Sequence, residues 1–395
     1  MALDWLDPKD FGAVGDGVAD DTKALQEALD AAAEGCGTVF LPRGTYRTGM
    51  LTLPMETCLR AEPTWGYQRE GRTVLIPARE DQECVLEVSD AINSTVYGVC
   101  IDGRHMGECL HGISMCRERH EHVKFEHSLR LEHLRVSNCT GNGINLVGAW
   151  AVSIRQSQCF GNELDGVYLD GTDAFVTDNW FSCNGRSGFG GSTWNSAVNF
   201  SANRVEWNKG PGMRLAGGMR YNITGNYFDR SGGPAILIDA AENYHKRLHK
   251  THTVIPYAIT VTGNNLVRSG AQAEPGSDED CHVLLRRAAG CVISANTCNI
   301  WKNDGLHGRF SPATAIVVDR CAHCAITSNV MLPGAVSELI RDLGGHGEGM
   351  VIEHNTGAVI PEAALGCRDP FTPVHFMSEG GAPWYSEQLS GESNG

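Results

Sequence analysis

Five successive segments of the chain begin alike and run to nearly the same length. In each, an apolar residue stands twelve positions ahead of the glycine of a Gly-apolar pair: Leu131 and Gly143, Ile154 and Gly166, Val176 and Gly188, Phe200 and Gly212, and Ile223 with Ala235 replacing glycine. The starts lie 23, 22, 24 and 23 residues apart. A unit so short has no core of its own and gains stability by stacking on similar neighbours. The period suits a coil of short strands and turns, each strand pairing in parallel with its equivalent in the next coil. Leucine-rich repeats overlap this period but need a leucine frame, and propeller blades need about 40 residues or more. These segments are instead rich in isoleucine, valine, glycine and asparagine. The expected fold is all-β: a right-handed parallel β-helix, or solenoid.

A second regularity supports the same stack. Val176-Thr-Asp-Asn179, Phe200-Ser-Ala-Asn203, Ile223-Thr-Gly-Asn226, Val261-Thr-Gly-Asn264, Ile293-Ser-Ala-Asn296, Ile326-Thr-Ser-Asn329 and Ile352-Glu-His-Asn355 place one asparagine at the same point of each coil. Asparagines stacked at a bend can bond along the axis and satisfy backbone groups that the bend leaves without ladder partners. The later coils carry insertions near 240–256, 270–280, 302–313 and 341–349, of the kind that gather on one face and wall a binding site. About twelve coils are expected from residue 36 to about 357. Residues 1–35 then form an N-terminal signature and capping helix, 36–357 the coils, and 358–395 a C-terminal tail or cap.

Composition narrows the partners. A net charge of −15 disfavours phosphate backbones and anionic lipid, so neither nucleic acid nor membrane is expected as a partner. An acidic polysaccharide would need a local basic patch; His245, Lys246, Arg247, His249 and Lys250 offer one, equally readable as a solvated loop. The start of the chain has no basic and apolar leader, which reads as cytoplasmic. The fifteen cysteines lack the spacing of a secreted disulfide scaffold and are expected to be mostly reduced and buried. Cys321-Ala-His-Cys324 is the one close pair, without two further zinc ligands nearby, and the histidines around 111–133 and 245–252 show no metalloprotease spacing. No metal and no cofactor is expected.

Ahead of the coils stands Asp10-Phe-Gly-Ala-Val-Gly-Asp-Gly-Val-Ala-Asp20-Asp21-Thr22, then a helix with Ala24, Leu25, Ala28, Leu29 and Ala32 on one face and Asp20, Asp21 and Thr22 at its N-cap. Gly35-Cys-Gly-Thr-Val-Phe-Leu-Pro-Arg-Gly-Thr-Tyr46 follows as strand, turn and strand. Such a helix covers the open end of a stack. This stretch closely resembles the opening of the pectate lyase superfamily, particularly bacterial proteins related to glycoside hydrolase family 28. The resemblance implies a β-helix that works on carbohydrate. The catalytic set of that family is missing: Gly345-His346-Gly347 stands without paired aspartates or a basic motif and reads as a loop. The arginine signatures of pectate lyases and the tyrosine-histidine motif of alginate epimerases are missing too.

Stacking turns the alignment into surface geometry. Six residues after each start come Ser137, Phe160, Ser182, Glu206 and Asp229, facing outward by strand alternation. Glu206 and Asp229 should therefore stand side by side, about 4.8 Å apart by strand spacing, near the separation of about 5–5.5 Å used by retaining glycosidases. Trp180, Arg204 and Tyr227 occupy the outward position two residues earlier, and Trp207 and Arg230 follow the acids, so these five are the expected sugar-binding residues. The competing interpretation is two solvated acids neutralised by Arg204 and Arg230. Asp165, Asp170 and Asp173 form a second-choice acidic group that reads more readily as turn chemistry. Three functions compete: cleavage or transfer of glycosidic bonds by the carboxylate pair, as in a glycoside hydrolase or fructotransferase; a lyase acting on a uronate polymer; and a non-catalytic glycan-binding or tailspike-like module. The expected partner is an oligo- or polysaccharide, with room for a homo-oligomer.

Overall fold

The computed structural model describes residues 5–359 apart from 36, 68, 117–125, 194, 246–248, 271 and 300–311. The expected tail, the insertion at 302–311, and Lys246 and Arg247 lie outside the described residues. The chain divides into two units, residues 1–180 and 181–395.

The first unit opens on the aspartate-rich signature, and its carboxylates tie the backbone down. Asp21 accepts the N–H groups of Val14 and Gly15 at 2.7 and 3.1 Å, and Asp16 accepts those of Val18 and Ala19 at 2.8 Å. Helix Thr22–Glu34 follows with Ala24, Leu25, Ala28, Leu29 and Ala32 buried. Asp21 holds the N-cap position without capping through its side chain. Asp20 does that work, accepting the Thr22 N–H at 3.0 Å. Glycine is required at position 15: its φ is +71°, and a Cβ there would stand 2.9 Å from the ring of the buried Tyr46.

Behind the helix the coils stack in parallel. Gly44–Thr48, Thr73–Pro77, Cys100–Asp102, Arg135–Ser137 and Gln158–Phe160 form one sheet, each strand pairing with the next. Along another run Val96 pairs with Leu131, Leu131 with Ile154, and Ile154 with Val176. The register read from apolar spacing is therefore the register of the coils.

The second unit repeats the plan. Phe200, Ile223, Val261, Ile293, Ile326 and Ile352 pair in sequence, although insertions interrupt the 23-residue spacing. Its interior holds Phe181, Phe189, Phe200 and Phe228, all fully buried, with ring centroids 5.2–6.4 Å from that of Phe200. At one bend a left-handed residue precedes each asparagine: Ala202, Gly225, Gly263, Ala295, Ser328 and His354. From Asn203 to Asn355 the Oδ1 of each following asparagine accepts the backbone N–H of the one before, at 2.9–3.1 Å. The side-chain amides repeat the link at 2.9–3.1 Å. The insertion after Asp239 is an antiparallel hairpin, Ala241–His245 with Lys250–Val254.

The described cysteines form no disulfide, and most are buried. Cys291, Cys321 and Cys324 lie in the interior, their thiols donating to backbone carbonyls. Among the described residues no group of histidine, cysteine and carboxylate side chains is arranged to hold a metal ion, and no helix is long and apolar enough to cross a membrane. His346, in the Gly-His-Gly loop, accepts the Cys321 N–H at 3.0 Å and bonds Asp342 at 2.7 Å, which makes it a fastener of that loop.

Candidate functional site

The sheet strands Arg204–Glu206 and Tyr227–Asp229 pair residue for residue, setting Glu206 against Asp229 and Arg204 against Tyr227. Val205 and Phe228 point into the core, so the acids point outward, as alternation requires. Outward does not mean solvated here. Glu206 is 1% exposed and Asp229 is 0% exposed, which corrects the expectation of open, solvent-facing carboxylates. The reason is arginine. Arg204 Nε donates to Glu206 at 2.9 Å. Arg268 grips Asp229 with two donors, at 2.9 and 2.7 Å, and Arg230 adds a third contact to the same carboxylate. Tyr227 donates its hydroxyl to Asp229 at 3.3 Å, and burial, with that carboxylate beside it, pushes the phenol up to about 12.

The other expected binding residues are distributed unevenly. Trp207 is 5% exposed and lies beneath the Arg230 guanidinium, 4.6 Å from the ring centroid, so it braces an arginine and presents no open platform. Arg204 lies 5.1 Å from the Tyr227 ring centroid, its side chain half exposed. Trp180 belongs to the first unit, where its ring stacks on Tyr67 at 4.1 Å.

The second-choice acids have separate tasks. Asp165 is buried and takes part through its backbone, donating N–H to Asn142 and accepting from Gly143. Asp170 is buried in strand, paired with Val147. Asp173 sits at φ +57° and accepts the indole N–H of Trp150 at 2.9 Å, linking two coils.

Two functional candidates escaped the sequence reading, one in each unit. Arg268 follows Val267 as Trp207 follows Glu206 and Arg230 follows Asp229, and all three have positive φ. Counting seven residues from Val261 reaches it, but the insertion ahead of that coil broke the spacing used to align starts. Asp102 stands six residues after Val96 and pairs with Ser137. The 35-residue interval from Val96 to Leu131 hid it in the same way.

Around Asp102 the first unit carries its own cluster. The Arg104 guanidinium reaches Asp102 at 3.0 Å and Glu70 at 3.8 Å, and Asn138 donates to Asp102 at 2.9 Å. A hydrogen bond with Asp102, aided by burial, raises Glu70 above the usual glutamate range. Burial alone would raise Asp102 as well, but hydrogen bonds from Glu70, Asn138 and the Arg104 N–H outweigh it and hold Asp102 below its ordinary value. One carboxyl is thus protonated more readily than its neighbour, the split that separates an acid from a base.

Comparisons with known proteins agree with this architecture. Residues 5–59 match a family described as rhamnogalacturonase A/epimerase, pectate lyase-like, and residues 78–231 and 111–273 match the right handed beta helix region. Mannuronan C5-epimerase AlgE5 of Azotobacter vinelandii is 29% identical over 280 residues, which is 64% of this chain and 26% of that protein. The chain therefore spans about a quarter of that relative's length. The A-module of mannuronan C-5 epimerase AlgE6 from the same organism superposes with a TM-score of 0.62 at 18% identity, covering 91% of this chain and all of the module. The Dettilon tailspike protein gives 0.62 at 15% identity, covering 90% of this chain and 68% of the tailspike.

Proposed function

Because the chain belongs to the pectate lyase-like superfamily of right-handed β-helices, we propose that it acts on a polysaccharide, and on a uronate-bearing one in particular. The observation that carries this reading is the guanidinium cluster of the second unit. Arg204, Arg230 and Arg268 surround two carboxylates, and Arg204 is half exposed. Glu206 and Asp229 then serve to hold arginine forks at fixed angles, and a sugar carboxylate meets cations that are already oriented. Neutralising a uronate carboxylate also acidifies the neighbouring C–H, the first requirement of lyase or epimerase chemistry. The name of the AlgE relatives, mannuronan epimerases, supports an acidic polymer.

The test compares binding of polymannuronate and polygalacturonate with that of neutral glycans, for the parent protein and for Arg204→Met. Uronate polymers should bind selectively, and the variant should lose at least about tenfold in affinity, the scale of one charge-assisted contact. Equal binding of neutral glycans, or an unaffected Arg204→Met, refutes the reading. Ultraviolet absorbance of unsaturated products then distinguishes a lyase.

A second reading keeps glycosidic cleavage or transfer at Glu206 and Asp229. It is supported by their direct pairing across adjacent strands, since a strand spacing of about 4.8 Å is near the separation of about 5–5.5 Å between the carboxyl groups of a retaining pair. Glu206→Gln and Asp229→Asn should then abolish turnover on any glycan the protein cleaves, with Asp170→Asn as the control.

A further inference from the structure

The first unit contains an aromatic contact that resembles a bound ligand more than a core contact. Tyr67 sits at the tip of a tight turn whose flanks, Gly66 and Arg69, exchange backbone hydrogen bonds at 3.0 and 3.1 Å. The turn is anchored by Trp65, whose indole N–H donates to the His133 carbonyl at 2.6 Å. From this perch the Tyr67 ring lies flat on Trp180, with centroids 4.1 Å apart and planes 20° off parallel, and it meets Phe160 edge-on at 5.7 Å. That is how a pyranose ring lies on an indole.

Polar groups on the same outward face are arranged for such a guest. Gln158 is wholly buried, and its Oε1 accepts the Arg135 Nε–H at 3.1 Å. That bond fixes the amide orientation, since the reverse would set two donors against each other. It leaves Nε2 buried with no hydrogen-bond partner. A buried donor with nothing to bond is costly and rare, and a sugar oxygen would satisfy it. Arg135 itself is 5% exposed, bonds Ser137 at 2.7 Å and lies 5.4 Å from the Phe160 ring centroid.

The geometry points to a monosaccharide seat on Trp180, bordered by Phe160, Gln158 and Arg135, with Tyr67 occupying the place of the sugar ring until a glycan displaces it. The seat rests on the polysaccharide reading for its biological role, but it is made of residues other than the arginines that carry that reading.

The experiment uses the full chain labelled with 5-fluorotryptophan. The Trp180 resonance is assigned by Trp180→Phe, and mannuronic acid, galacturonic acid, mannose and galactose serve as probes. At least one sugar should shift the Trp180 signal. Tyr67→Ala, which vacates the seat, should reach half-saturation at about tenfold lower concentration, while Tyr67→Phe, which keeps the stacked ring, should behave like the parent. Equal thermal midpoints establish that the variants fold. If no probe moves the signal in parent or variant, or if Tyr67→Ala gains nothing over Tyr67→Phe, the seat is refuted. Should uronate polymers bind through Arg204 while Trp180 stays silent, only the seat fails. Should Trp180 respond while polymers ignore Arg204, the seat stands and the arginine reading fails.

Discussion

Replacing Asn264 by alanine tests whether the asparagine column stabilises the second unit as its geometry implies. Asn264 Oδ1 accepts from the backbone N–H and the side-chain amide of Asn226, both at 2.9 Å. Its Nδ2 donates to the Ile223 carbonyl at 3.0 Å and to Asn296 Oδ1 at 2.9 Å. Truncation leaves the Asn226 N–H with no acceptor in a dry interior, which costs about 1–3 kcal/mol, and removes three further bonds of about 0.5–1.5 kcal/mol each. The expected loss is about 5 kcal/mol, a large share of a typical domain's stability. Asn355 provides the control. It makes bonds of the same kind, accepting twice from Asn329 and donating to Ile326, but it is only half-buried, so water can replace what alanine removes. Its loss should be about 1 kcal/mol. Urea unfolding followed by both fluorescence and circular dichroism gives the two values, provided the transitions coincide. If the two substitutions differ by less than about 1 kcal/mol, the stabilisation does not come from satisfying buried backbone.

Two predictions concern pH. Because Glu70 is raised in the folded chain, its contribution is fully present below its ordinary value of 4.5 and is lost as pH rises through the raised value; Glu70→Gln should therefore be more stable than the parent at neutral pH and no better below pH 4.5, measured by thermal midpoints across pH. His282 is wholly buried, and burial drives it down to about 3, so the folded state refuses a proton that the unfolded chain accepts from 6.5 downward. Stability should fall by about 2 kcal/mol on going from neutrality to pH 5, and His282→Leu should remove that slope; an unchanged slope in the variant would place the titration elsewhere.

The coils were legible because two simple periods coincide. Alternation sends Val205 and Phe228 inward, and counting from Phe200 and Ile223 pairs Glu206 with Asp229, as the strands do. What the periods do not encode is what lies on top of an outward side chain. Glu206 and Asp229 face outward and are still dry, because Arg204, Arg230 and Arg268 close over them. Arg268 and Asp102 stayed hidden for a mechanical reason, since each belongs to a coil separated from its neighbour by an insertion that a fixed spacing skips. Tyr67 had no signal at all. It precedes the five regular segments, and nothing periodic links residue 67 to residue 180.

The bend with the asparagine column also bears on how such a chain can change over generations. Strand, left-handed residue, asparagine and strand recur there without gaining or losing a position, from Phe200 through Ile352, while other corners admit anything from a tight turn to the hairpin at Ala241–Val254. One corner acts as a ruler and the others as open margins. Mutation can lengthen, exchange or redecorate a margin without resetting the register of the next coil, because register is measured on the far side. Specificity can drift in such a scaffold while the stack that presents it stays in place.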